Sequence, residues 1–482
     1  MIKIQDSDLY LTNLRTRMPF KYGIATMTHM PMIFVRVRLE IDGKVHTGVA
    51  SDLLPPKWFT KDPLKSAADE IQEMFDVIDE ARVSAIGLRG EDVFTIWRQL
   101  YHLREMTAEA CDIPPLLVHF GTSLIERAMI EAFCRASEKS FGQLVHSGGL
   151  GIRLGDIHPE LAGVQPSDVL PKNPLQQFVA RHTVGLADPL TDEEIPASDR
   201  LADGLPQSLE ACIRHYGLRH FKIKVNGNLD SDLERLSRIA ETISATTTGD
   251  FAFSLDGNEQ FKTLADFRVF WEAVQAREPL RNFLERLIFV EQPLLRSVAL
   301  DPAVKDAFSN WPNHPPIIID ESDASLESLP TALELGYAGT SHKNCKGVFK
   351  GIINRCLLLH RAAADKQSPL LMSGEDLCNI GPVALLQDLA VAATLGIESI
   401  ERNGHHYCAG LSMFPESAQS EILACHGDLY QPSESGWPTL KIVDGICDIG
   451  SLNQAPFGVG FELDIEAFTP AADWAPEIVE QP

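Results

Sequence analysis

Between about residue 178 and residue 403 the chain repeats one pattern. A short apolar, β-branched run ends in polar residues, and a longer stretch with helical spacing follows. The runs are Phe178–Leu186, His220–Val225, Phe251–Asp256, Leu287–Glu291, Pro316–Asp320, Gly339–Lys343, Pro369–Ser373 and Ile397–Arg402. Their ends recur roughly every 25–35 residues, which leaves room for a crossover helix between parallel strands. Eight such units predict a (β/α)₈-type barrel. An open, doubly wound sheet is the rival reading of the same pattern. The intervening segments support helices. In Asp230–Ile243 the apolar Leu233, Leu236, Ile239 and Ile243 share one face, and acidic residues open the segment. Val383–Thr394 reads the same way after Gly381-Pro382.

The ends of the chain are patterned differently. Ile2–Thr12, Met32–Ile41 and Lys44–Ala50 alternate like strands, with a turn at Asp42-Gly43. Residues 63–140 are helical in character, and Thr439–Asp464 again resembles strands. One α+β accessory domain built from both termini accounts for this. The expected division is an α+β cap with its connecting segment over 1–175, the barrel over 176–412, and a segment returning to the cap over 413–482. Residues 141–176 are rich in Gly and Pro and read as a connection. Ala471–Pro482 reads as a mobile acidic tail.

Charge narrows the partners. With 42 Lys and Arg against 67 Asp and Glu, the net charge is −25. Phosphate backbones and anionic membranes repel such a chain, so nucleic acid and membrane are not expected partners. The first residues lack the basic-then-apolar order of a signal peptide, and no apolar run reaches the roughly 18 residues of a membrane span. The nine cysteines include no CxxC pair, so a reduced, cytoplasmic protein is expected.

Three successive predicted strands end in carboxylates: Asp256 in SLDGN, Glu291 in FVEQP, and Asp320 with Glu321 in IIIDES. In a parallel barrel the carboxyl ends of the strands share one face, so these groups should converge. Any one of them alone is ordinarily a solvated loop carboxylate. Three in one pocket repel unless protonated or bridged by a cation, and oxygen-only ligation favours Mg²⁺. Lys222 and Lys224 alternate in FKIKV, so both face the barrel interior and should depress each other's pKa. Lys343 ends the sixth strand, across the barrel. A metal flanked by lysines on two sides suits removal of a proton from a carbon next to a carboxylate.

These motifs, KIK at Lys222–Lys224, DGN at Asp256–Asn258, VEQP at Val290–Pro293, DES at Asp320–Ser322 and Lys343 in HKNCKG, resemble the enolase superfamily. The likeness is to its mandelate racemase/muconate lactonizing enzyme family, on the muconate-lactonizing-enzyme-like branch. Echoes lie at both ends, in MPFKYG (Met18–Gly23) and PFGVGFELD (Pro456–Asp464). The resemblance implies a modified TIM barrel with an α+β capping domain, and Mg²⁺ on Asp256, Glu291 and Asp320. It implies Lys224 as base on one face, Lys222 in support, and Lys343 as acid/base on the other face, with Asn258 hydrogen-bonding in the site. MPFKYG and the Ala50–Thr60 loop would close over substrate, which makes Tyr22, Lys57 and Trp58 candidate specificity residues.

Some features depart from that family. Gly347-Val348 stands where Gly-Gly usually follows the strand-six lysine, and Lys346 competes with Lys343 for its role. Strand seven ends in SGED (Ser373–Asp376), without the His of a mandelate-racemase-like dyad. Ser373, Glu375 and Glu321 are candidates to support the site. In the strand-eight stretch IERNGHHY, Glu401, Arg402, His405 and His406 are in reach of substrate, and Arg402 would suit a second anionic group. His182 should lie in or near strand one. The expected activity is Mg²⁺-dependent α-proton abstraction from a small-molecule carboxylate by a homo-oligomeric isomerase or lyase. Racemisation or epimerisation leads, and syn β-elimination or cycloisomerisation uses the same parts. A Schiff-base lyase and a non-catalytic ligand-binding barrel are the readings of other classes.

Overall fold

The computed structural model describes residues 1–22, 25–365 and 370–477, with backbone alone at Tyr22 and Ala25. The N-terminal sheet is antiparallel, with β1 (Ile2–Tyr22), β2 (Ala25–Ile41), β3 (Lys44–Leu53) and a short β4 (Arg89–Gly90) beside β1. Alternation along β2 buries Val35, Val37 and Leu39. Arg36 and Arg38 between them pair across the strands with Asp8 and Asp6, at 2.6 and 2.7 Å. The β1–β2 hairpin is longer than the alternation predicts. Met18–Tyr22, expected as a loop, continues β1, with Phe20 opposite Met27 after a register shift beyond Arg15. The expected Gly23 lies outside the described residues.

Three helices cover the sheet: α1 (Ala67–Ala85), α2 (Val93–Cys111) and α3 (Pro115–Ser137). Ser66 caps α1 in a capping box with Asp69, and Asp92 caps α2 by accepting from Thr95 N at 2.7 Å. Helix α3 is buried on nearly all sides. It lies so close to β3 that a Cβ at Gly48 would sit 2.1 Å from the Ala128 carbonyl oxygen, an approach only glycine allows.

The second sheet contains β5 (Gln177–Val184), β6 (His220–Lys224), β7 (Ala252–Asp256), β8 (Leu287–Glu291), β9 (Ile317–Ile319), β10 (Gly339–His342), β11 (Leu371–Gly374) and β12 (Ser399–Arg402). Each pairs parallel with the next, and β12 pairs parallel with β5. The sheet is therefore a closed barrel, not an open doubly wound sheet. The predicted crossover helices span Leu229–Thr246 and Ala384–Leu395. In the first, Leu236, Ile239 and Ile243 are buried, each worth about 1.5–3 kcal/mol. The fold is a modified TIM barrel with a capping sheet and helices.

The C-terminal region departs from its pattern. β13 (Tyr430–Pro432) and β14 (Pro438–Leu440) form a hairpin, and β15 (Ile446–Asp448) runs antiparallel on β5 of the barrel. Beyond β15 the expected strand character gives way to a short helix, Gly450–Gln454, and irregular backbone with Gly458 at φ +79°. Among the described residues of this region, β16 (Thr469–Pro470) alone rejoins β1. The expected mobile tail is anchored up to residue 477. Trp474 Nε1 donates to Asn13 Oδ1 at 3.1 Å, and Arg15 pairs with Glu477 at 2.8 Å. Residues 478–482 lie outside the described residues. Among the described residues no helix is long and apolar enough to cross a membrane.

Candidate active site

Strand register sets the levels of the site. Lys224 on β6, Asp256 on β7 and Glu291 on β8 are direct neighbours, and Lys222 lies one inward layer deeper, beside Ser254. Period two turns Lys222 and Lys224 into the barrel, while Ile223 packs outward. Lys222 sits among four carboxylates. Its Nζ is 3.0 Å from Asp256 Oδ2, 2.8 Å from Glu291 Oε2, 2.7 Å from Glu375 Oε2 and 3.0 Å from Glu401 Oε2. Burial opposes its charge, but these carboxylates outweigh burial and raise its pKa well above the ordinary value. The expected depression by a neighbouring ammonium is therefore corrected at Lys222. Full neutralisation by four acids overrides lysine–lysine repulsion.

Lys224 Nζ is 2.5 Å from Asp256 Oδ2 and 3.0 Å from Asn258 Oδ1. Asn258, at φ +42°, also donates to Glu321 Oε1 at 3.1 Å. Four strands away around the barrel, Lys343 Nζ is 2.7 Å from Asp320 Oδ2. Lys346 holds the other oxygen of the same carboxylate, at 2.8 Å. Burial would raise the Asp320 carboxyl, but Lys343, Lys346 and Lys222 outweigh it and hold it well below the usual range. Lys343 is likewise raised, because Asp320 overcomes the cost of its burial. Lys343 faces the cavity above the barrel, and Lys346 does not line it.

Glu291 behaves differently. Burial, together with Asp256, Glu375 and Asp320, pushes its carboxyl well above the usual range. Its Oε2 makes no hydrogen bond of good geometry, although Lys222 is near. Of the three carboxylates at the ends of β7, β8 and β9, Glu291 is the one whose charge the lysines leave unanswered. All their donors are hard oxygens, which suits Mg²⁺. In this structure lysines occupy positions against Asp256 and Asp320.

The mouth of the cavity combines cap and barrel. Phe20, Met27, Pro55 and Trp58 come from the cap region, and Lys222, Lys224, Asn258, Lys343, Asp376, Leu377, Cys378, Glu401 and Asn403 from the barrel. Trp58 lies against Lys343, with Nζ 4.3 Å from the ring centroid. Glu401 also accepts from Thr183 Oγ1 at 2.6 Å. Burial would raise its carboxyl, but Lys222 and Lys224 outweigh it and hold it well below the usual range. Ser373 donates to Glu375, and both are bound by Arg181, with 2.7 Å from Arg181 Nη2 to Ser373 Oγ.

Four residues expected to meet substrate do not line the cavity. His405 and His406, expected within reach of substrate, pack instead against His182 on the outer side of β5. Lys57, at φ +61°, turns its ammonium into the cap, donating to the Asp62 and Lys65 carbonyls at 2.7 and 2.5 Å and pairing with Glu70 at 3.3 Å. Arg402 follows the inward Glu401 and so points through the barrel wall, 3.7 Å from Asp376 Oδ1 and beside Asn379 and Tyr430. It does not offer a cation to the cavity. The side chain of Tyr22 lies outside the described residues.

Sequence reading overlooked Arg181 and Lys61. Arg181 and Thr183 alternate with Ala180 and His182 in an apolar run, the same inward-polar signal that marked Lys222 and Lys224. Lys61 donates to the Asn258 carbonyl at 3.0 Å and pairs with Glu259 at 2.6 Å. It follows Trp58 in a loop, where no periodic signal exists.

No protein-family model matches the sequence, and no curated protein matches it either. Solved structures share the fold. An enolase from Bradyrhizobium complexed with magnesium and mandelic acid superposes with a TM-score of 0.60 at 13% identity, covering 97% of each chain. The 2-chloromuconate cycloisomerase of Rhodococcus opacus gives 0.59 at 17% identity, over 96% of this chain and 98% of that one. A dipeptide epimerase from Enterococcus faecalis, complexed with Mg and L-Leu-L-Tyr, gives 0.56 at 15% identity, over 92% and 99%.

Proposed function

We propose that this protein is a Mg²⁺-dependent enzyme of the enolase superfamily that removes the α-proton of a carboxylate substrate and returns it, racemising or epimerising that carbon. The observation that carries the reading is that Lys224 on β6 and the Lys343 after β10 line one cavity from positions four strands apart around the closed barrel. Two amines facing a carbon from opposite sides supply both an acceptor and a donor for its proton. The likeness in fold to an epimerase, a cycloisomerase and a mandelate-bound enolase supports the chemistry.

Asp256, Glu291 and Asp320 would hold the Mg²⁺, whose positive charge would face the substrate carboxylate. Lys343 is charged while Asp320 is its partner, and a charged amine accepts no proton. Asp256 Oδ2 stands 2.5 Å from Lys224 Nζ, so drawing Asp256 toward the metal would leave that amine free to meet the substrate. Lys224 then takes the α-proton at Nζ, and Lys343 delivers one from the other side. Lys222 stays an ammonium among its four acids and balances negative charge that develops on the substrate. Asn258 orients Lys224 through its Oδ1. Phe20, Met27 and Trp58 exclude water from the cavity. Asp376 and Glu401, with Asn403, favour a substrate that also carries an amide or amine. A reduced cytoplasmic setting is supported by nine free cysteines. Exposed Leu103 and Met106 on α2 are consistent with a homo-oligomer contact.

Incubation with Mg²⁺ in D₂O tests the reading, using N-acyl amino acids, dipeptides, acid sugars and muconate-like acids. A one-deuteron gain at the α-carbon is expected, lost in Lys224→Ala for one enantiomer and in Lys343→Ala for the other. Exchange that survives both substitutions overturns the two-lysine assignment.

A further inference from the structure

We propose a second metal site, for a thiolate- and imidazole-binding divalent ion of the Zn²⁺ class, formed by His182, Cys212 and His406 outside the barrel wall. The donor atoms of these three residues lie within 4.8 Å of one another, and all three are buried. Among the described residues no other group of three or more His, Cys, Asp or Glu donors is gathered so closely. The topology explains the convergence. His182 is on β5 and points outward between the inward Arg181 and Thr183. Cys212 is on the helix Leu209–Tyr216 that follows β5. His406 is in the turn Gly404–Tyr407 after β12, the strand paired with β5.

The surroundings have the form of a metal site. Cys212 Sγ lies 3.4 Å from His406 Nδ1. Among the described residues His406 Nε2 has no hydrogen-bond partner, and the Asp188 carboxylate is 3.8 Å from it. Asp188 is itself fixed by Tyr407 Oη at 2.6 Å and Gly185 N at 2.7 Å. His182 Nδ1 is 3.0 Å from His405 Nε2, which assigns its other nitrogen to the ion. A carboxylate or second imidazole behind each ligating imidazole orients metal-bound histidines.

Charge also closes. Binding releases the Cys212 thiol proton to solvent and forms the metal–sulfur bond. One thiolate and the Asp188 carboxylate then balance a divalent ion in a buried site. Sulfur and nitrogen ligands disfavour Mg²⁺, so this ion is not the one proposed at the carboxylates. Bound there, it would brace the turn whose Tyr407 stacks on Phe20 of the cavity mouth, at 4.0 Å between ring centroids.

Co²⁺ titration of the chelator-stripped full chain tests this. The more accessible thiols Cys111 and Cys425 are first replaced by Ser. One equivalent should bind with the visible bands of tetrahedral Co²⁺ and a near-ultraviolet thiolate charge-transfer band. Zn²⁺ should displace it, and excess Mg²⁺ should not. Cys212→Ser should abolish the charge-transfer band, His406→Gln, which removes a ligand, should weaken binding by more than the roughly 10–100-fold that loss of an outer partner costs, and Asp320→Asn should leave the band intact. A band that survives Cys212→Ser, or one that Mg²⁺ removes, overturns the proposal. X-ray absorption of the Zn²⁺-loaded protein gives an answer without variants. A shell with one sulfur supports the site, and an all-oxygen shell overturns it.

Discussion

Lys343 Nζ lies 4.3 Å from the centre of the Trp58 ring, so a cap residue covers a barrel lysine. A ring face attracts an ammonium and excludes water from it. Trp58→Leu should remove ~0.5–2 kcal/mol of this attraction and lower kcat/KM by roughly tenfold. Trp58→Phe should recover most of it. Steady-state kinetics of α-proton exchange measures both, and equal activity in all three proteins would refute the role.

Lys57 should behave in the opposite way. Its ammonium holds the buried Glu70 and two carbonyls within the cap. Lys57→Ala should cost about 1–3 kcal/mol of stability and leave KM unchanged. Urea unfolding together with kinetics separates the two effects, and a raised KM at unchanged stability would return Lys57 to the substrate site.

Glu291 is the carboxylate left with too little positive charge. Burial and the neighbouring Asp256, Glu375 and Asp320 push its pKa up, so its charged form is costly at neutral pH. Glu291→Gln should raise the melting temperature of the metal-free protein by ~1–3 °C. The same change should abolish the stabilisation that added Mg²⁺ gives the wild type. Differential scanning calorimetry with Mg²⁺ and with EDTA reads both, and a Mg²⁺ response retained in the variant would contradict the ligand assignment.

Glu126 makes stability depend on pH. It lies on α3 against the segment after β10, where its Oε1 accepts from Phe349 N at 2.6 Å and its Oε2 makes no hydrogen bond of good geometry among the described residues. Burial pushes its carboxyl from 4.5 up to about 8. The folded chain keeps a proton that the unfolded chain has released. The contribution is therefore complete below about 4.5 and is lost as pH rises through about 8. The melting temperature should fall as pH rises from about 5 to about 8, and Glu126→Gln should flatten that slope. Parallel pH profiles for the two proteins would rule this out.

Much of the fold was legible in sequence because its signals are local. Eight apolar runs with helices between them announce a barrel, and each observed strand falls within its predicted run to within a residue or two. Lys222, Lys224, Asp256 and Glu291 were legible for the same reason, since period two and a strand's end fix where a side chain stands. The β1–β2 hairpin was misjudged at Met18–Tyr22, because pairing across a bulge is decided by the partner strand.

What the sequence determined by itself is the barrel, the strand ends that carry carboxylates, and the inward parity of the KIK lysines. The tertiary structure decided which cation meets which acid. Arg402 and Arg181 both sit in barrel strands, yet the closing β12–β5 register turns Arg181 inward with Glu401 and Arg402 outward. Lys57 and Lys61 share one loop, and a left-handed backbone at Lys57 sends its ammonium into the cap while Lys61 reaches Asn258. The expected low pKa at Lys222 failed because four acids, from three other strands and the residue after a fourth, surround it. Periodicity is a property of one segment, whereas the field at a buried charge is a sum over strands that only closure of the barrel brings together.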